Sequence, residues 1–464
     1  MAAKRLCLAL LLLPCLATAQ EKSDLQKILD RLDRLERENR SLAGEVHALR
    51  EELAASHVLP PAAAAPAPSL PREAQATPQS PPAAALDERV TVAEHRIAEQ
   101  AQTKVESEHK FPVTLTGMVL FNTYLNGKSA NGAEDPTTAS LSNNTATAGA
   151  GLQQSVVGLK FQGPRIWGGG QIDGSIYVDL FAGGTSSLSH QVRLRIADLS
   201  VNWKNTSLMV GQDKPLISPR EPTSLAQVGV SPLTAAGNLW LWEPQARVEQ
   251  RFSFSPNSGL RAQLGVYETS EPANVSVTPE YAGSLAPARP ALEGRFELWR
   301  QFSDTSRLEI APGFHISRTH VAGLSVPSNL FTVDWLWQPV SAFQLTGMFF
   351  HGGNAAGVGG LRQGFTLLGE GQATAVGATG GWAQFSYFAT KRLSFNFYGG
   401  EEDDRGADLL KNEIHRNLSY AGNAMYRLGS NVLLGLEAAQ VRTSYVQSLY
   451  RLTNHYDLAV AYLF

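Results

Sequence analysis

The sequence predicts an all-β transmembrane barrel of about sixteen antiparallel strands, preceded by an N-terminal α-helical coiled coil. Three observations predict it. A heptad stripe near the N-terminus gives way to a stretch rich in alanine and proline. After Phe111 the apolar residues recur at every second position. In that region short turns alternate with long polar or Gly-rich connections. The 464 residues carry 39 Lys and Arg against 42 Asp and Glu, a net charge of −3. That balance excludes a general nucleic-acid binder, whose footprint is a strongly basic domain.

Residues 1–19 read as a secretory signal peptide: Lys4 and Arg5, an apolar run from Leu6 to Leu16, then the small-residue site Ala17-Thr18-Ala19. A lipoprotein signal ending at Cys15 is the rival reading, disfavoured by Pro14 where a small residue belongs. Cys7 and Cys15 are the only cysteines, so removal of the signal leaves no disulfide framework, thiol nucleophile or thiolate metal site.

Residues 20–56 form the predicted stalk. Leu25, Ile28, Leu32, Leu35, Asn39, Leu42, Val46, Leu49 and Leu53 alternate at three and four, with charged residues between them. So narrow a stripe suits a coiled-coil seam; a helix packed on a globular core shows a wider apolar face. Asn39 at a seam position penalises slipped registers. Arg31 to Glu36 follow the pattern of trimeric coiled coils, and a dimer stays open. Residues 57–85, dense in Ala and Pro, read as an extended spacer, and 86–110 as one short helical segment.

From 111 to 464 the period is two. Phe331, Val333, Trp335 and Trp337 alternate with Thr332, Asp334 and Gln338, and Leu292, Phe296 and Leu298 oppose Glu293, Arg295 and Glu297. The expected strands are 112–125, 153–163, 168–181, 190–204, 207–213, 244–255, 259–269, 290–302, 306–319, 328–338, 342–351, 379–389, 392–403, 413–427, 430–443 and 449–464. Long connections are expected near 126–152, 214–243, 270–289 and 352–378. Turns on one rim and loops on the other thread an up-and-down membrane barrel. A soluble sandwich or propeller would need a polar outward face, and here one face of most strands carries Trp and Phe.

In hydrocarbon every backbone N–H and C=O must be paired within the protein, so a sheet spans only by closing. A sixteen-strand cylinder is too wide for side chains to fill and holds water. Parity places Lys160, Arg193, Arg195, Arg247, Arg251, Arg261, Arg295, Arg307, Arg392, Arg427, Arg442 and Arg451 in that lumen. The matching anions are Asp173, Asp179, Glu249, Glu293, Glu297, Glu309, Asp334, Glu437 and Asp457, so the lumen is expected to lean cationic. Such a wall favours anions; the plainer reading is that the charges pair with one another. The stretch Lys214 to Glu243 is rich in Pro and apolar residues and is expected to fold into the barrel, bringing Lys214, Arg220 and Glu221 to the permeation path. Packing against a neighbouring subunit is the alternative. The run Glu401-Glu402-Asp403-Asp404 reads as a solvated rim, with a bridging-cation site as the rival. No metal-binding, phosphate-loop or nucleophile-elbow motif is present, so neither a cofactor nor an enzyme activity is expected.

The layout of signal, coiled coil, proline linker and barrel resembles the DcaP-like trimeric outer-membrane porins, relatives of the phosphate-selective porins. The stretch RLRIADLSVNWKNTSLMVGQDKPLISP looks like that family's arginine-rich strand and its turn into the third loop. YDLAVAYLF, with Tyr462 and Phe464, looks like the signal read by the barrel-assembly machinery. The resemblance implies a homotrimer in outer-membrane lipid and lipopolysaccharide, a periplasmic stalk, and passage of small anionic solutes. The chain departs from the family in Asp213 and Lys214 after the Gly-Gln pair, and it lacks a dense lysine cluster. A second class of function stays open: an envelope tether, in which the barrel anchors the stalk.

Overall fold

The computed structural model describes residues 113–464 apart from 131–132, 143–144, 183–189, 269–284, 287–289, 322–323 and 369–370. The expected signal peptide (1–19), stalk (20–56), linker (57–85) and short helix (86–110) lie outside the described residues.

Sixteen long strands make the barrel. The first eight are β1 (Val113–Asn126), β2 (Val156–Arg165), β3 (Gln171–Asp179), β4 (Arg193–Asn202), β5 (Thr206–Asp213), β6 (Glu243–Ser255), β7 (Ser258–Tyr267) and β8 (Ala291–Ser303). The second eight are β9 (Ser306–Val321), β10 (Leu324–Val340), β11 (Phe343–Gly353), β12 (Gly377–Phe388), β13 (Leu393–Asp404), β14 (Ile414–Leu428), β15 (Val432–Tyr445) and β16 (Arg451–Leu463). Each pairs antiparallel with its neighbours in sequence, and β1 pairs with β16 from Met118↔Leu463 to Asn126↔His455, which closes the cylinder. Phe464 extends the seam by exchanging backbone hydrogen bonds with Gly117 at 3.0 and 3.1 Å. Residues 147–151 continue the β2 side of the ladder along β1.

The alternation expected from sequence separates two environments. On β10, Phe331 and Trp337 are 51% and 47% exposed, while Thr332 and Asp334 between and beside them are each 1% exposed. Phe254, Leu298, Phe397, Leu436 and Leu458 continue the apolar outer surface around the wall. An exterior of that kind is stable in hydrocarbon, where closure leaves no backbone group unpaired.

Strand ends deviate from expectation mainly at β9 and β10. Pairing runs on to Val321↔Leu324, through Arg318↔Pro327, where a connection was expected between 319 and 328. Proline discourages a strand assignment from sequence because it removes a ladder donor. Here it sits near the loop end of β10, opposite Arg318. Short turns lie on one rim and the connections 127–155, 180–192, 214–242, 268–290 and 354–376 on the other.

Candidate functional site: the lumen and its folded-in loop

The connection from Lys214 to Trp242 turns inward and crosses the lumen, meeting the wall at strand after strand. The Leu216 amide donates to Glu293 on β8 at 2.9 Å. Arg220 donates from Nε to Asp334 on β10 at 2.9 Å and from Nη2 to Glu309 on β9. The Thr223 amide donates to Gln384 on β12 at 2.6 Å, and the Leu225 carbonyl accepts from Asn122 on β1 at 2.9 Å. Gln154 accepts from the Val228 and Gly229 amides, and the Val228 carbonyl accepts from Arg195 at 2.9 Å. The apolar residues that look out of place in a solvated loop are the reason it stays inside. Ile217, Leu233, Ala236 and Leu239 pack with the inward side chains Leu330, Met348, Phe350, Trp382 and Tyr398. Gly237 marks the closest approach: its φ is +93°, and a Cβ there would lie 2.2 Å from the Gly381 carbonyl oxygen. Only glycine combines that dihedral with that clearance.

Most of the charged residues expected to line the lumen are brought together on β4 to β10. Arg193 and Arg195 both reach Asp179, at 2.6 and 3.3 Å. A bulge sets them there: Tyr177 opposes Ile196 and Val178 opposes Leu194, so Arg195 is the extra residue, and it points inward beside Arg193. Both guanidinium groups lie over the Trp242 ring, at 5.0 and 4.7 Å from its centre, and Arg193 also lies 5.1 Å from that of Phe181. Arg247 pairs with Asp213 at 2.8 Å and Arg251 with Glu249 at 2.6 Å. Arg295, buried, bridges Asp334 at 2.7 Å and Glu297 at 2.8 Å, and Arg261 joins Glu297. Lys214 pairs with Glu221 within the loop. Burial by itself would raise the Glu221 carboxyl. The adjacent Lys214, hydrogen bonds from Lys214 and Ser231, and the charge of Arg195 hold it below the ordinary glutamate range. Lys160 stands apart from this group, in a recess of the β2–β4 wall with Asp173 and Asp198.

The opposite wall carries carboxylates met by neutral donors. Glu437 accepts from Ser224 at 2.6 Å, Tyr398 at 2.6 Å and Asn423 at 2.9 Å, and Asp457 accepts from Asn122 at 3.1 Å. Over them folds the loop after β1, tied down by Asn417 to the Thr137 carbonyl and by Thr443 to the Ala139 amide. Its Asp135 is held well above the ordinary aspartate range, first by burial and then by the charges of Glu134, Asp457 and Glu437.

Several sequence expectations need correction. Arg442 faces outward: it opposes Leu418 and Leu452 and lies over the Tyr450 ring at 4.0 Å. Glu437, five positions earlier on the same strand, faces the lumen, so alternation turns Arg442 to the outside. The lumen does not lean cationic as expected: Asp198 and Asp213 add to its anions, and its arginines pair with carboxylates, as the plainer reading had it. The bulge in β4 shifts parity at Asp198, and Asp213 sits at a strand end. The acidic run is also no solvated rim. It belongs to β13, so its residues alternate: Glu402 and Asp404 are buried inward, while Glu401 and Asp403 face out. Trp242, Phe181, Gln154 and Asn122 were missed as site residues; inward parity applied to Asn and Gln would have found the last.

The remaining sequence candidates fall elsewhere. Tyr462 lies on the outer face of β16 beside the closing seam, opposite Val119 and Val432. Leu25, Ile28, Leu32, Leu35, Asn39, Leu42, Val46 and Leu49 lie outside the described residues.

No family model matches the chain, and no curated protein matches it in sequence. Solved structures do. The outer-membrane channel DcaP of Acinetobacter baumannii is similar with a TM-score of 0.62 at 15% identity, over 76% of this chain and 97% of that one. An anion-selective porin from Comamonas acidovorans is similar with a TM-score of 0.52 at 13% identity, over 76% of this chain and all of that one. Pseudomonas putida OprB in its high-pH structure follows at 0.50 and 10% identity, over 79% of this chain and 97% of its own. The shared feature is the fold, a DcaP-like sixteen-stranded porin barrel of the outer-membrane type.

Proposed function

We propose that the protein is a passive diffusion channel for small hydrophilic, anionic solutes, working as a homotrimer with a periplasmic coiled coil. One observation carries the anionic preference. In several ion pairs of the lumen the cation stands in front of its carboxylate, whereas Arg247–Asp213, Arg220–Glu309 and Lys214–Glu221 are about equally exposed. Side-chain exposure is 26% for Arg193 against 0% for Asp179, 34% for Arg261 against 5% for Glu297, and 47% for Arg251 against 13% for Glu249. Arg307 repeats the pattern at 48% against 17% for Glu309. In those pairs the carboxylate holds the arginine from behind, and the guanidinium is the more solvated partner. An anion then exchanges hydrogen bonds along a row of fixed donors without any arginine losing its counter-charge. That keeps each binding step shallow, as conduction requires.

Reversal potentials of the purified full-length protein in planar bilayers under asymmetric salt test the reading. The expected sign is that of anion preference, and a cation preference overturns it. A cysteine at Arg220, modified with a bulky reagent, tests the constriction: conductance should fall on modification.

A further inference from the structure

We infer that the recess between the loop after β1 and the wall of β1 and β16 binds one calcium ion, through Glu134 and Asp135 of the loop and the amide oxygen of Asn122. The site is separate from the arginine wall, and the inference does not rest on the solute preference proposed above.

The register brings these groups together. Asn122 on β1 directly opposes Gly151. Because Gly151 has no side chain, the Glu134 carboxylate comes down over the ladder there: a Cβ at position 151 would lie 3.1 Å from Glu134 Oε1. Directly opposed residues carry their Cβ positions about 5 Å apart, so that oxygen and the Asn122 side chain share one recess. Asn126, one turn of the pleat above, donates to the carbonyls of Ala133 and Glu134 at 2.7 and 3.1 Å and so fixes the backbone that carries the two loop acids. Gln154 holds Asp135 loosely at 3.5 Å.

Three oxygens of this recess are buried and accept from no donor: Oδ1 of Asn122, Oε1 of Glu134 and Oδ2 of Asp135. Asn122 is 1% exposed, and its amide nitrogen is already committed to Asp457 at 3.1 Å and to the Leu225 carbonyl at 2.9 Å. A buried polar atom without a partner is costly, and a buried carboxylate more so. The charges of Asp457 and Glu437 reach the same place. Among the described residues no Lys or Arg pairs with any of these four carboxylates; the ion pairs of the lumen use other anions. The charge of His190 reaches Glu134 without forming an ion pair. A proton satisfies one oxygen, whereas a divalent ion satisfies all three and offsets the acid behind them. In chelator, a proton takes the ion's place on the loop acids.

The donor set is all oxygen, carboxylate and amide, which selects a hard cation. No three His, Cys, Asp or Glu side chains among the described residues converge as a complete shell. Water from the lumen therefore fills the remaining positions. Calcium accepts such a mixed and irregular set, and magnesium, which demands a tight octahedron, does not. An incomplete protein shell of this kind gives a Kd on the order of 0.1–1 mM.

The test uses the full-length protein, refolded in detergent without lipopolysaccharide and freed of metal with chelator. Terbium is the first probe, read by emission sensitised through Tyr124, whose phenol feels the charges of Glu134 and Asp135. Calcium should displace one terbium per chain, and magnesium should need at least tenfold more. Calcium should also protect the loop after β1 from protease. Glu134→Gln combined with Asp135→Asn should weaken calcium binding at least tenfold and remove that protection, while Glu401→Gln, on the outer face, should change neither. Heat-modifiability on gels checks folding, and if the double variant misfolds, Glu134→Gln alone decides. Absence of saturable calcium binding, equal binding by variant and parent, or equal displacement by magnesium overturns the inference.

Discussion

Arg220 holds the middle of the lumenal loop to the wall, and its replacement by methionine is the sharpest test of the constriction. The side chain is mostly buried, with Asp334 at 2.9 Å, Glu309 closer still and Glu297 at 3.7 Å. Methionine keeps the apolar stem and removes the charge. Breaking a buried pair from one side costs roughly 3–5 kcal/mol. Here the loss is partly compensated. Asp334 keeps Arg295 at 2.7 Å, Glu297 keeps Arg295 and Arg261, and Glu309 is left with Arg307 at 3.6 Å. We take about 2 kcal/mol, which shifts the balance between docked and released loop by about 30-fold. The other anchors, the apolar contacts of Ile217 and Leu239 and the bond to Gln384, keep the loop mainly inside. Single-channel recordings in planar bilayers should then show frequent openings to a larger level and higher open-channel noise. The anion-to-cation permeability ratio should also fall, because an uncompensated carboxylate now faces the path. Unchanged noise, level and ratio would refute the view that this loop sets the constriction.

Three further outcomes follow from the same contacts. Replacing Arg193 and Arg195 together with glutamine removes two guanidinium groups and their stacking on Trp242, and should move the reversal potential towards cation preference while the barrel still folds in detergent. Asp135 has a raised carboxyl in the docked loop, so the docked state binds its proton more tightly than the released one. Docking is therefore firmest at acid pH and weakens as pH rises through that raised value; Asp135→Asn should reduce the pH dependence of protease resistance in the loop after β1, the raised Glu134 keeping the remainder. Deleting residues 21–105 should leave single-channel conductance intact if the barrel is the working part. A loss of envelope integrity with conductance preserved would reveal a tether as well.

The architecture was legible because a membrane barrel writes its two faces into the sequence at a period of two. Each of the sixteen expected segments overlaps an observed strand, and the long connection from Lys214 announced itself by apolar residues that no solvated loop would keep. Which side chains stand opposite one another depended on register, and register is a property of neighbouring strands. The bulge at Arg195 turned Asp198 inward, the alternation of β13 divided an apparently uniform acidic run between lumen and exterior, and Arg442 changed sides. The pairing of arginines with carboxylates joins residues on different strands and on the loop. Sequence determined where the chain meets lipid and where it meets water, because that choice is made residue by residue. Only the closed structure decided which charges meet, because that depends on how far each strand slides against the next.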